Sequence, residues 1–234
     1  MRTRHLATAP LAVITAVTLS YATMISTAPG YAEASHSDAS WQRLGQDNNA
    51  NEGVWWSINN GAFGHDIITV GDDVIFKIEM HKYLWGTHYD DLYKVWIDFD
   101  ANNVFEEEEV VLQGSWYFNT DGDYKNGNVA DPLVGANLSD YFYSGTINFA
   151  DEGDFWLRAR VTCNSSINYR WFGHEDGRED LSTLLPKFKP DGHLHQGEVE
   201  DWKLTVVRQV PEPGLLSLLG LGVLGLALVG RKKK

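Results

Sequence analysis

The sequence predicts an all-β protein: an antiparallel β-sandwich flanked by an N-terminal signal helix and a C-terminal hydrophobic helix. Three observations carry this. Apolar and polar residues alternate with a period of two in several short runs. Gly, Asn and Asp clusters separate those runs. No segment before Pro211 shows a long apolar stripe at helical spacing. Many short strands divided by turn signals fit two packed sheets.

Taken in order, residues 1–32 read as a secretory signal peptide. Arg2 and Arg4 form its positive end, Leu6 to Ile25 its apolar run, and Pro29-Gly30-Tyr31-Ala32 a small-residue cleavage site. Threonines dilute the apolar run, and an uncleaved membrane anchor is the competing reading. Residues 33–64 are polar and Asn-rich, with Trp41, Trp55 and Trp56, and read as a loop-rich lead-in whose tryptophans cover the sandwich.

Residues 65–209 are the expected sandwich domain. Val74, Phe76, Ile78 and Met80 alternate with Ile75, Lys77 and Glu79. Phe155, Leu157, Ala159 and Val161 repeat the pattern, with Trp156, Arg158 and Arg160 opposite. Further strands are expected at Ile67–Val70, Tyr93–Phe99, Val110–Gln113, Tyr141–Phe149 and Trp202–Val207. Residues 210–234 join a Pro-Glu-Pro tripeptide, a 17-residue apolar run and Arg231–Lys234. Seventeen residues is the short limit for a membrane span, and the basic cluster would stay on the cytoplasmic side.

Without its two end segments the body holds 13 Lys+Arg against 31 Asp+Glu, a formal charge of −18. Nucleic acid and anionic membrane surfaces are poor partners for that charge; divalent cations and basic or neutral surfaces are better ones. Cys163 is the single cysteine and cannot form an internal disulfide. Its place in an apolar strand favours burial over an intermolecular link or a reactive thiol.

Asp98, Asp100, Asn102, Glu106 and Glu109 occupy positions 1, 3, 5, 9 and 12 of a calcium-loop spacing, with the Val104 carbonyl at position 7. A hard cation needs several oxygens converging on one point, which alternate residues of a tight loop supply. The competing reading is a solvated acidic hairpin loop. Asn119, Asp121 and Asp123 form a weaker second group that reads as a turn.

Arg158 and Arg160 share one strand face, as do Glu198 and Glu200 with Asp201 beside them. Guanidinium forks match carboxylates in a bidentate way, so a structural clamp is expected, ahead of paired catalytic acids. The apolar parity changes between Val199 and Trp202, which suggests a bulge near Asp201. His193 and His195, with Glu198 and either His174 or His88, could make a zinc site; two exposed histidines are the simpler reading. No catalytic residue is assigned, because no nucleophile elbow, phosphate-binding glycine loop or Cys–His spacing occurs.

Three ordered motifs resemble those of the GEVED domain of bacterial exported proteins: Val95–Glu109 ("VWIDFDANNVFEEEE"), Phe155–Val161 ("FWLRARV") and His195–Val206 ("HQGEVEDWKLTV"). The resemblance implies a β-sandwich on cell-surface proteins with no enzymatic activity. Asn103 stands where such loops usually have Gly, a departure that Asn tolerates because it enters the left-handed region more readily than most residues.

The tail resembles the PEP-CTERM sorting signal, with Pro211, Glu212 and Pro213 as its recognition tripeptide. It implies processing by an exosortase after export across the inner membrane of a Gram-negative bacterium that makes extracellular polysaccharide. Transient anchoring through the C-terminal helix would precede release to the envelope, surface or medium. A permanent tail anchor is the other reading. Together these features point to an adhesive or matrix-organising protein, calcium-stabilised, with extracellular polysaccharide or other surface proteins as partners and a place in biofilm. A secreted hydrolase with a metal or paired-carboxylate site is the rival.

If the tail is a sorting signal, the mature protein lacks Arg231–Lys234. Mass spectrometry of envelope and medium fractions checks this; intact C-termini throughout would leave a tail anchor.

Overall fold

The computed structural model describes residues 25–39, 42–46, 53–83, 90–117, 137–168 and 181–209. Residues 1–24 of the signal segment, Trp41, His88, His174, the Asn119-Asp121-Asp123 group and the sorting tail lie outside the described residues. Within them the protein is mostly β, as the alternation predicts.

The strands are β1 (Ala34–Asp38), β2 (Gln42–Leu44), β3 (Val54–Ile58), β4 (Ile68–Thr69), β5 (Val74–Tyr83), β6 (Asp90–Asp98), β7 (Val110–Tyr117), β8 (Asn137–Tyr143), β9 (Gly153–Cys163), β10 (Gly192–Gln196) and β11 (Glu198–Val207). Short helices α1 (Asn164–Asn168) and α2 (Leu181–Leu184) follow β9.

One sheet runs β4-β11-β9-β6-β7, antiparallel except for β4, which lies parallel to β11. In the other, β3 and β2 pair with successive parts of one edge of β5, and β8 pairs with its opposite edge. Inward residues of both sheets interdigitate in one apolar core. Val54, Trp56, Phe76, Ile78 and Met80 meet Val95, Ile97, Leu157, Ala159, Trp202 and Leu204 there. Trp56 and Trp202 touch edge to face, with ring centroids 6.2 Å apart. An ion pair closes one end of the core, Lys82 Nζ lying 2.8 Å from Asp91 with both side chains buried.

Three features depart from the expected fold. Residues 33–64, read as loop-rich, contain β1, β2 and β3, and Trp56 belongs to the core. The run Tyr141–Phe149 is a strand only as far as Tyr143; beyond it Ile147 makes a single bridge to Val74. The pairing of β9 with β11 runs without a shift from Glu198 to Val206, so there is no bulge at Asp201. The register shift lies instead between Val95 and Trp96, opposite β7.

The outer face of the five-stranded sheet is covered as well. Residues 25–33, the parallel pair β1–β10 and the turn after α2 form a third layer. Phe188 and Leu184 pack on Leu92, and Phe188 meets Trp96 edge to face. Strand β9 is therefore buried on both faces, which explains why Arg158 and Arg160 are interior residues.

Gly197 links β10 to β11 where these layers come closest. Its φ is +120°, and a Cβ there would sit 1.9 Å from the Val161 carbonyl oxygen and 2.9 Å from His36 Nδ1. Backbone and ring leave no room to give. Gly197→Ala should therefore cost at least about 3 kcal/mol, combining left-handed strain with overpacking. Gly145→Ala, with nothing within 4 Å, should stay within about 0.5 kcal/mol. Urea melts of the two variants check the contrast.

Candidate functional site

The acidic loop follows β6. Asp98 closes the strand, residues 99–106 turn, and a 3-10 turn at Glu107–Glu109 leads into β7. The fold is set by backbone donors answering carboxylates. Asp98 Oδ2 accepts from Asn103 N at 2.9 Å, and Asp98 Oδ1 from Asn102 N at 3.2 Å. Asp100 Oδ1 accepts from Asn102 N at 3.1 Å, and Glu109 Oε1 from Phe99 N at 2.8 Å. Asn103 and Ala101 take φ of +66° and +56° to let these groups converge.

Asp98, Asp100 and Glu109 each offer an oxygen within 4.8 Å of the others. Asn102 sits between them and Glu106, its amide nitrogen donating to Asp100 Oδ2 at 3.0 Å and to Glu106 Oε1 at 2.9 Å. Burial, then the side-chain hydrogen bond with Glu106 and last the charge of Asp98, pushes Glu109 up to about 7 against the backbone donors of Glu106 and Phe99. The loop is anchored from outside by Tyr31, whose hydroxyl donates to Asp98 Oδ2 and whose ring stacks on Phe105 with centroids 4.6 Å apart. Burial raises the Tyr31 pKa, and the Asp98 bond adds to it.

The clamp residues divide between two faces. Arg158 grips Asp201 bidentately, Nε to Oδ1 at 2.7 Å and Nη2 to Oδ2 at 3.0 Å, both side chains buried. Asp201 Oδ2 also accepts from Thr27 N and Ala28 N, each at 2.7 Å. Arg158 Nη1 donates to the carbonyls of Ala32 and Pro190, and its guanidinium lies over Phe105, 4.9 Å from the ring centroid.

Arg160 pairs with neither glutamate. It donates to the carbonyls of Lys189, Asp191 and Gly192 and to His36 Nε2. Burial, then the charge of Arg158, holds it down to about 9. His36 lies well below its ordinary pKa, chiefly through burial and then through Arg160. The neutral ring donates from Nδ1 to the Gln196 carbonyl and accepts at Nε2.

Pairing of Glu198 and Glu200 with the arginines was expected, and the register forbids it. Asp201 lies opposite Arg158 and shares its face, whereas Glu198 and Glu200 lie opposite Val161 and Ala159 on the core face. There Glu198 Oε2 accepts from Leu44 N at 2.8 Å, and Glu200 accepts from Gly53 N and Trp202 Nε1. Each thus fastens the five-stranded sheet to backbone of the other sheet. Burial first, and the Glu200 charge second, pushes Glu198 up to about 9. Its contribution to stability is complete below the ordinary carboxylate pKa and is lost as pH rises through about 9. Closed from solvent, this glutamate pair offers a substrate no access.

The alternative zinc set is not assembled among the described residues, and its third histidine, His174 or His88, lies outside them. Both ring nitrogens of His193 meet hydroxyls, Ser35 Oγ at 3.1 Å and Ser37 Oγ at 2.9 Å, and His195 lies exposed on the same strand. Glu198 faces away into the core. Cys163 is buried, with Sγ 3.1 Å from Gln196 Oε1.

Two features escaped the sequence reading. His36 and residues 25–33 carry no conspicuous chemistry in one dimension. The other feature is an aromatic face on the solvent side of β3, β5 and β8. Lys77 Nζ lies 4.3 Å from the Trp55 ring centroid and 4.8 Å from those of Phe63 and Tyr141. Phe63, Tyr141 and Tyr143 are exposed. Trp55, Lys77 and Tyr143 stand directly opposite one another on three strands, and that alternation was legible.

Residues 209–233 match the PEP-CTERM protein-sorting motif. Among curated proteins and among solved structures, nothing matches the chain. The motif marks an exported protein that an exosortase processes, with a place at the cell envelope or surface. Among the described residues no helix is long and apolar enough to cross a membrane.

Breaking the buried fork strands a charge. Arg158→Ala and Asp201→Ala should each cost about 3–5 kcal/mol, and the double variant well under the sum. Lys203→Ala, whose pair with Asp154 is solvent-exposed, should cost about 0–1 kcal/mol. Chemical denaturation of all four variants checks the cycle.

Proposed function

We propose that this exported protein is a non-catalytic, GEVED-type β-sandwich that calcium locks outside the cell, where it works in adhesion or matrix organisation. The observation that carries the reading is the convergence of Asp98, Asp100 and Glu109 within 4.8 Å on a loop with calcium-loop spacing. Asn102, Glu106 and the Val104 carbonyl would complete the oxygen set. The donors are all oxygen, which suits a hard cation over zinc. A bound ion would offset the burial that raises Glu109 and the Asp98 charge beside it, and would hold the junction of β6 and β7.

The aromatic face supports the adhesive half. Lys77 has no carboxylate partner among the described residues, and flat rings surround it. Rings of this kind stack on sugar faces, so an extracellular polysaccharide fits this face, and the −18 charge of the body favours a neutral one over an acidic one. A secreted hydrolase remains the rival; a catalytic turnover on any polysaccharide would favour it.

Extracellular modules bind calcium at about 10⁻⁴–10⁻³ M. After chelation, calcium at ~5 mM should raise the melting temperature by roughly 2–9 °C, magnesium less. Asp98→Asn with Asp100→Asn should abolish the gain. Glu109, raised to about 7, must be ionised to bind, so the gain should be larger at pH 8 than at pH 6. Without calcium the sign reverses: the Glu109 contribution is complete below the ordinary carboxylate pKa and is lost as pH rises through about 7. Unchanged melts and no heat on titration would make the loop an ordinary acidic turn.

A deletion strain should lose aggregation and biofilm. Complementation with Tyr141→Ala and Lys77→Gln together, at equal surface level, should restore less of both than the unaltered chain.

A further inference from the structure

We infer that the export peptidase cuts upstream of Ile25, at the Ala22–Thr23 bond, and that residues 25–33 are a permanent strap of the mature fold. A cut after Ala32 is what the small-residue run Pro29-Gly30-Tyr31-Ala32 suggests in one dimension. In the folded protein that run is a turn. Gly30 takes φ of +89° after Pro29, the residue order of a type II turn. The arms on either side pair: Ile25 bridges Ser35 antiparallel, Ser26 N donates to the Ala34 carbonyl at 2.8 Å, and Ala34 N donates to Ser26 Oγ at 2.8 Å.

The strap also fills positions that nothing else occupies. Thr27 N and Ala28 N answer Asp201 Oδ2, the Ala32 carbonyl answers Arg158 Nη1, and Tyr31 answers Asp98. Ala28 itself is buried. A cut after Ala32 would remove all four contacts and leave the Arg158–Asp201 fork and the acidic loop open on one side. A cut after Ala28 would split the turn.

The sequence offers an upstream alternative. Leu11–Leu19 is a nine-residue run, apolar except for Thr15 and Thr18, behind Arg2 and Arg4, and Ser20-Tyr21-Ala22 places small residues one and three positions before the bond. Cutting there leaves two residues before Ile25, enough to keep every strap contact. The peptide bond is hydrolysed by water, giving a carboxylate on Ala22 and a free amine on Thr23. The inference is independent of calcium and of adhesion.

The test is the N-terminus of the full chain recovered from envelope and medium, read by intact mass and N-terminal sequencing. A first residue of Thr23 supports the inference. A first residue anywhere else, including Glu33 or an intact Met1, overturns it. Processing itself gives a second readout that does not depend on stability. Ala22→Leu should leave the precursor uncut, and Ala32→Leu should be processed at the normal rate; the opposite pattern also overturns the inference.

Discussion

A buried guanidinium is costly unless its donors and its charge are both answered. Arg158 meets that condition by gripping Asp201 with two bonds and giving two further donors to carbonyls far apart in the chain, Ala32 and Pro190. The arrangement ties four segments to one point: strands β9 and β11, the N-terminal strap and the loop before β10. Because Phe105 lies against the guanidinium and Tyr31 against Phe105, the acidic loop is held at the same junction. The third layer and the acidic loop both depend on this pair.

Strand β11 shows how one short segment serves three layers. Gly197 permits the close approach to β9. Alternation then sends Glu198 and Glu200 inward, where they cap backbone N–H groups of the opposite sheet, and sends Asp201 outward to Arg158. The conspicuous carboxylates of the motif are thereby consumed by architecture. The proposed function places ligand chemistry elsewhere, on the loop after β6 and the face around Lys77, which agrees with the general separation of fold from function.

The two buried arginines differ in a way that bears on rigidity. Arg158 has a carboxylate. Arg160 bonds to carbonyls and a neutral imidazole and to no carboxylate, and burial, then the charge of Arg158, depresses its pKa. His36 can accept from Arg160 only while unprotonated. The strap and the β1–β10 pair are thus held by one ion pair and one set of dipoles, placed side by side on β9.

Much of this was determined by the sequence alone. The all-β class, the strands β5, β6, β9 and β11, the oxygen spacing from Asp98 to Glu109 and the C-terminal sorting motif are local patterns, set by period-two alternation or by fixed offsets along the chain. Asn103 in the left-handed region is also a local preference. Tertiary structure decided the rest. Which carboxylate Arg158 meets depends on the register of two strands 43 residues apart, and a shift of one residue exchanges the two faces. The strap reaches Asp201 across 173 residues, and β1 to β3 become strands because distant partners complete their hydrogen bonds. No local signal encodes a pairing of that range, since its free energy comes from burial that exists only once the layers have met.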